Sequence, residues 1–147
     1  MGRILFIEDD GELAENISKE LGKEHDIEEA YSYITAKDAW DEYNGDFDCI
    51  ILDLEIPSDG LEDENLLKDY HGIYGILVLK PFCEGKTPEQ QKEIWNKTVI
   101  YSEYTDNLEG KDMIQNPPGG LMQINKKEMN SVSQLIKKVK EIINKKS

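Results

Sequence analysis

The sequence has few basic residues for its length. Only 17 lysines and arginines stand against 31 aspartates and glutamates in 147 residues, which gives a formal net charge of −14. A surface this acidic disfavours binding to nucleic acid or to an anionic membrane through a basic face. The acidic excess instead favours a protein that binds cations or basic protein surfaces.

Cysteines and long apolar runs are also scarce. Cys49 lies in an apolar segment and Cys83 in a polar one, without the spacing of a zinc or redox motif, so we expect two reduced thiols. No run approaches the ~20 apolar residues that cross a bilayer, and the N-terminus lacks a secretory pattern. We therefore expect a cytoplasmic protein, with a single domain over 1–147 and no output domain.

Apolar segments alternate with amphipathic ones in the first third of the chain. Strands are predicted at 3–7, 27–31 and 47–52, and helices at 11–21 and 35–43. This alternation is typical of right-handed parallel crossovers. The third strand is apolar without interruption, which indicates that helices cover both faces of the sheet.

The rest of the chain is less regular. Segment 73–79 is predicted as a short buried helix in preference to a strand, and a helix follows up to Asn96. Further strands are predicted at 98–101 and 121–124. The final helix begins with Ser131-Val132-Ser133-Gln134, which resembles a capping box.

Carboxylates follow two of the predicted strands. Glu8, Asp9 and Asp10 come directly after the first strand, and Asp53 comes directly after the third. In parallel α/β sheets ligands bind beyond the carboxyl ends of the strands. Mg²⁺ commonly takes one or two carboxylates together with phosphate and water. The sequence therefore predicts a magnesium site at this edge.

These residues, with Ser102 and Lys126 at the ends of later strands, resemble the receiver domain of two-component response regulators. The strongest matching segments are ILFIEDD at 4–10 and CIILDLEIP at 49–57; weaker ones are VIYS at 99–102 and QINK at 123–126. The resemblance covers almost the whole chain. It implies a doubly wound, flavodoxin-like α/β fold, with a five-stranded parallel sheet in the order 2-1-3-4-5.

The resemblance also implies a role for each site residue. Asp53 would be the phosphoacceptor, with Asp9 a direct magnesium ligand, Glu8 acting partly through water and the Glu55 backbone carbonyl completing the ligand set. Ser102 would be the switch hydroxyl. Lys126 would pair with the phosphoryl group, although Lys127 beside it leaves that assignment ambiguous.

The implied partners are a sensor histidine kinase or a histidine phosphotransfer protein, and an unknown downstream protein. The protein would not turn over a metabolite; it would only phosphorylate and dephosphorylate itself with Mg²⁺. A carboxylate can attack phosphorus when cations neutralise the phosphoryl oxygens, which magnesium and Lys126 would do.

The sequence departs from the family pattern in several places. The stretch between Asp53 and Ser102 is long, which predicts additions at 58–71 and 83–97. Gln123 stands where the family often has an aromatic residue. The tripeptide 80–82, Lys-Pro-Phe, is interpreted as a chance likeness to the family's lysine motif because it follows Asp53 too closely.

Two other interpretations stay open from sequence alone. One is a magnesium-dependent phosphohydrolase of the haloacid-dehalogenase type with Asp53 as a transient nucleophile, although that group carries a D-x-D pair on its first strand. The other is a pseudo-receiver, a fold kept for protein contacts without phosphorylation.

Overall fold

Five parallel strands form one sheet in the computed structural model, which describes residues 2–69, 74–103 and 122–145. The strands are β1 (Arg3–Ile7), β2 (Asp26–Ala30), β3 (Cys49–Leu52), β4 (Thr98–Ser102) and β5 (Met122–Asn125). Their order is β2-β1-β3-β4-β5, and every neighbouring pair is parallel. The predicted sheet and its strand order are confirmed.

Helices connect the strands. They are α1 (Gly11–Leu21), α2 (Tyr33–Glu42), α3 (Glu64–Asp69), α4 (Leu79–Cys83), α5 (Pro88–Asn96) and α6 (Ser131–Asn144), with a 3₁₀ helix at Tyr74–Val78. None of the helices in the described part of the chain is long and apolar enough to cross a membrane.

The central strand β3 has an apolar layer on each face. Ile50 and Leu52 belong to one buried cluster, which includes side chains of α2, α4 and α5. Cys49 and Ile51 belong to the other, which includes side chains of α1 and α6. Because successive side chains of a strand point to opposite faces, an uninterrupted apolar strand requires cover on both sides. The predicted placement of helices on both faces is confirmed.

The predicted additions at 58–71 and 83–97 contribute to the core. Segment 58–71 includes α3, which the sequence analysis did not predict, and Leu61 and Leu66 pack against the α2-side cluster. Within 83–97, Ile94 and Trp95 of α5 are buried. Both segments are therefore built into one helical layer.

Segment 73–79 is helical, as predicted, but it divides into the 3₁₀ helix and the start of α4. The tripeptide 80–82 lies within α4 and does not follow a strand. Residues 70–73 and 121, which belong to the predicted segments 58–71, 73–79 and 121–124, lie outside the described residues.

The start of α6 differs from the predicted capping box. The N-cap is Asn130, in the left-handed conformation with φ 65°, and its side chain makes no capping hydrogen bond. Ser131 is the first helical residue, and its hydroxyl donates to the carbonyl of Lys126 at 3.1 Å. The prediction was wrong because the Lys126 carbonyl, across the preceding turn, accepts from the hydroxyl that the pattern assigned to the helix.

The 3₁₀ helix lies directly against the end of β3. The Gly75 N–H donates to the Leu54 carbonyl at 2.8 Å. A Cβ atom at position 75 would lie only 2.1 Å from the Asp53 carbonyl oxygen and 2.7 Å from Leu54 Cα. Both are backbone atoms, so no side-chain rotation relieves the clash. Glycine at 75 is required for this close approach.

We predict that Gly75→Ala lowers the free energy of unfolding by about 2–3 kcal/mol, because the added methyl group forces the Asp53–Leu54 backbone away from its position. Gly11→Ala is the matched control, since a Cβ there meets nothing within 4 Å. Urea denaturation of the three proteins checks this. Equal stability of the Gly75 variant and wild type would contradict the close approach.

Candidate functional site

Charged side chains meet at the carboxyl edge of the sheet. Glu8 follows β1, Asp53 follows β3 and Lys126 follows β5, while Ser102 is the last residue of β4. Strand order places β1, β3, β4 and β5 side by side. Four residues that are distant in sequence are therefore delivered to one edge.

Backbone hydrogen bonds fix the two carboxylate residues beyond the strand ends. The Glu8 N–H donates to the Ala30 carbonyl at 2.8 Å, and the Asp53 N–H donates to the Ile7 carbonyl at 2.9 Å. These bonds continue the parallel pairing by one residue past each strand. The backbone from which each carboxylate side chain extends is therefore fixed to the sheet.

Three carboxylates form a cluster that can hold a cation. One ligand oxygen from each of Glu8, Asp9 and Asp53 lies within 4.8 Å of the other two. Glu8 and Asp53 are only 4% and 3% exposed, whereas Asp9 is exposed to solvent. Carboxylate oxygens in this number are the ligand type that hard cations such as Mg²⁺ prefer. The side chains predicted as metal ligands are therefore brought together, one of them accessible from water.

Lys126 supplies positive charge beside the cluster. Its Nζ lies 3.0 Å from Asp53 Oδ2 and contacts Glu8 Oε1. Lys127 is exposed, and its backbone N–H donates to Asn125 Oδ1 at 2.8 Å. Lys80 is also exposed, on α4. The structure thus places Lys126, and not its neighbour, at the carboxylates.

Burial and mutual repulsion shift the acid–base behaviour of the cluster. Burial first, and then the hydrogen bond and charge of Asp53, raise the pKa of Glu8 to about 8, although Lys126 acts in the opposite direction. Burial and the charge of Asp53 also raise the pKa of Asp9. The cluster therefore retains a proton until another cation compensates its charge.

Lys126 shows the complementary shift. Burial favours its neutral form, but the hydrogen bond to Glu8 and the charges of Asp53 and Glu8 outweigh burial and raise its pKa. Lys126 therefore stays an ammonium group at neutral pH, and the site keeps one fixed positive charge.

The Asp53 carboxylate is held on both oxygens. Oδ2 accepts from Lys126 Nζ at 3.0 Å, and Oδ1 accepts from the Glu55 N–H at 3.1 Å. The Glu55 side chain is exposed. The loop after β3 thus turns its backbone towards the carboxylate, while the role of the Glu55 carbonyl as a metal ligand stays a prediction.

Ser102 and Gln123 lie on neighbouring strands with different exposure. Ser102 is fully buried, and its carbonyl accepts from the Lys126 N–H at 3.1 Å. Gln123 is exposed on β5. Ser102 therefore lies next to the lysine in the sheet, and its role as a switch hydroxyl stays a prediction.

Sequence reasoning missed two residues that contact this site. The Tyr101 ring centre lies 5.7 Å from Lys126 Nζ, and the Tyr101 hydroxyl lies 3.0 Å from Ser131 Oγ. A tyrosine directly after Val99 and Ile100 in a predicted strand was the available signal, because a buried phenol normally needs a hydrogen-bond partner.

No protein-family model matches the sequence, and no curated protein matches it. Solved structures do match. The Francisella response regulator 1452 receiver domain is 19% identical with a TM-score of 0.64, over 100% of both chains.

Two further structures match over nearly their full length. A response regulator receiver domain protein from Clostridium thermocellum is 19% identical with a TM-score of 0.66, over 99% of this chain and 97% of the other. A CheY-like receiver domain protein from Methanospirillum hungatei is 19% identical with a TM-score of 0.62, over 99% and 95%. The chain has the fold of response-regulator receiver domains; identities this low show the fold alone.

We predict that Mg²⁺ stabilises the protein through the carboxylate cluster. At about ten times its dissociation constant, Mg²⁺ should raise the melting temperature by roughly 3–5 °C, because the ion binds the folded state only. Asp9→Asn should remove most of this shift, and Glu12→Gln, on the exposed start of α1, should keep it. Thermal melts with and without Mg²⁺ measure the change in melting temperature for each protein. Equal changes in both variants would contradict the assigned site.

We also predict a pH dependence of stability in the metal-free protein. Glu8 ionises near 4.5 when unfolded and near 8 when folded. Between these values the folded state binds the extra proton, so the free energy of unfolding falls as pH rises.

The Glu8→Gln variant lacks this contribution and is the reference. The stability of wild type relative to Glu8→Gln should fall by about 3–4 kcal/mol between pH 5 and pH 8. Urea denaturation in EDTA measures the difference at each pH. A relative stability that rises over this range would show that Glu8 is held ionised.

Proposed function

We propose that this protein is a phosphoacceptor of a two-component system or phosphorelay, which receives a phosphoryl group from a phosphohistidine on Asp53. The observation that carries the proposal is the Asp53 carboxylate itself. It is buried at the end of the central strand, beside two further carboxylates and 3.0 Å from the Lys126 ammonium. Its setting is the fold of receiver domains.

The proposed reaction is a phosphoryl transfer between two proteins. A carboxylate oxygen of Asp53 attacks phosphorus, the bond from phosphorus to the histidine nitrogen breaks, and the imidazole leaves with a proton from solvent. The product is an acyl phosphate on Asp53. Catalysis of such a step is mainly positioning and neutralisation of charge on the phosphoryl oxygens.

Each residue of the site has a part in that neutralisation. Lys126 is placed to pair with a phosphoryl oxygen, since its ammonium group already contacts Asp53. The carboxylates of Glu8, Asp9 and Asp53 and the Glu55 carbonyl would hold Mg²⁺. When bound, Mg²⁺ supplies the remaining positive charge at the transferred group.

Phosphorylation also changes the charge beside Ser102. A phosphoryl group is close to dianionic and offers strong acceptor oxygens, so it favours any arrangement that brings hydroxyl and N–H donors towards it. Ser102 ends the strand next to β3. We assign to it the contact that reports the phosphorylated state to a downstream protein.

The proposal places the protein in the cytoplasm, with a sensor histidine kinase or histidine phosphotransfer protein as donor. Water hydrolyses the acyl phosphate slowly, so the protein carries a signal and does not turn over a metabolite.

The phosphohydrolase alternative is not favoured. The second acidic residue of a D-x-D pair would stand two residues after Asp53. Glu55 occupies that position, but its side chain is exposed to solvent.

We predict a single Mg²⁺-dependent phosphate adduct when the protein is incubated with acetyl phosphate. Asp53→Asn should abolish the adduct, because the amide is not a nucleophile of comparable strength. Asp59→Asn, on the exposed loop that follows, is the matched control and should leave it intact.

Intact-mass spectrometry reads out the three proteins, each with Mg²⁺ and with EDTA. An adduct that survives Asp53→Asn would show that another residue is the acceptor. No adduct in wild type, together with no Mg²⁺ binding, would favour a pseudo-receiver.

A further inference from the structure

The Lys126 carbonyl ends a short chain of hydrogen bonds that starts on β4. The Tyr101 and Ser131 hydroxyl oxygens lie 3.0 Å apart, and Ser131 Oγ lies 3.1 Å from the Lys126 carbonyl oxygen. A serine hydroxyl has one hydrogen. Because Ser131 donates it to the carbonyl, Tyr101 must donate to Ser131. The chain therefore runs in one direction, from tyrosine to serine to lysine backbone.

The two hydroxyl groups of these hydrogen bonds are shielded from water. Tyr101 is 1% exposed and Ser131 is 6% exposed. Hydrogen bonds in such surroundings strengthen one another, and water does not readily replace a member that is removed. Loss of either hydroxyl should therefore change the position of the third member, the Lys126 backbone.

The Lys126 backbone is held from two sides. Its N–H donates to the Ser102 carbonyl of β4 at 3.1 Å, and its carbonyl accepts from Ser131 on α6. The four residues that follow it, 127–130, are all exposed. Ser131 is thus the buried anchor on the far side of an exposed turn.

Tyr101 acts at both ends of the lysine. Its hydroxyl supports the backbone through Ser131, and its ring centre lies 5.7 Å from the Lys126 ammonium nitrogen. A lysine ammonium group sits on a stem of four carbons, so it reaches both the Glu8 and the Asp53 side chains only while its backbone stays close to its present position. The ammonium group in turn contacts Glu8 and Asp53.

We infer that Tyr101 and Ser131 are positioning residues, which act through the Lys126 backbone to hold its ammonium group between the Glu8 and Asp53 side chains. Neither residue touches the phosphoryl group. Only the phosphorylation readout below rests on the proposed function, because the geometry of Lys126 exists without a phosphodonor.

The test removes each hydroxyl and observes the ammonium group directly. Tyr101→Phe keeps the ring, and Ser131→Ala keeps the helix start. Ser133→Ala, exposed on the same helix, is the control. The probe is the ¹H–¹⁵N cross-peak of the Lys126 ammonium in the metal-free full chain, assigned by its loss in Lys126→Arg.

In wild type we expect a resolved, slowly exchanging cross-peak, because the ammonium group contacts both the Glu8 and the Asp53 side chains. Tyr101→Phe and Ser131→Ala should broaden or shift it, and the double variant should be no worse than either single variant, since the two hydroxyls act as one unit. The control should leave it unchanged. A missing wild-type peak, or an unchanged peak in Ser131→Ala, would overturn the inference.

The second readout is the initial rate of phosphorylation by acetyl phosphate at saturating Mg²⁺. Both single variants and the double variant should be slower by roughly fivefold, as expected for one lost hydrogen bond. If wild type is not phosphorylated while the cross-peak responds as expected, the proposed function fails and the positioning role stands. If phosphorylation at Asp53 occurs and the cross-peak does not respond, the positioning role fails alone.

Discussion

Buried negative charge at the carboxyl edge of the sheet is the constraint on which the rest of the structure depends. Glu8 and Asp53 are almost completely removed from water, and they share one ammonium group. Burying a charge is costly unless it is paired and hydrogen-bonded. The strand ends, the continued backbone pairing and the loop of Glu55 all serve to keep these groups in place. The site has a deficit of positive charge, and a divalent cation is the simplest group that removes it.

Apolar packing in the remainder of the fold offsets the unfavourable free energy of burying this site. Two apolar layers cover the sheet, and on one of them the 3₁₀ helix approaches the Asp53 backbone so closely that only Gly75 fits. On the other, α6 contributes Ser131, which reaches the Lys126 carbonyl. Asp53 and Lys126 are thus each fixed by a different layer, so packing on both faces determines the geometry between them.

Much of this could be predicted from the sequence, because the strongest signals are local. The apolar runs ending in Glu8 and in Asp53 gave strands and carboxylates together, and Leu13, Ile17 and Leu21 marked α1 with its observed limits. Predictions failed where a contact outside the periodic pattern decided. Phe47 precedes β3, where its N–H donates to the Gly45 carbonyl in the preceding turn. Ser131 bonds to Lys126 instead of capping α6, and α3 is too short for a periodic pattern. Lys126 and Lys127 were inseparable because a shift of one residue at the end of β5 exchanges their positions.

The central claim is that Asp53 is the nucleophile, and locating the phosphoryl group on the chain tests it most directly. An acyl phosphate is reduced by borohydride to the alcohol, which converts the modified aspartate to homoserine. After phosphotransfer from a histidine kinase or acetyl phosphate with Mg²⁺, peptide mapping by mass spectrometry should find homoserine at position 53 and nowhere else. Homoserine at position 9 or 10, or an adduct resistant to borohydride, would contradict the account.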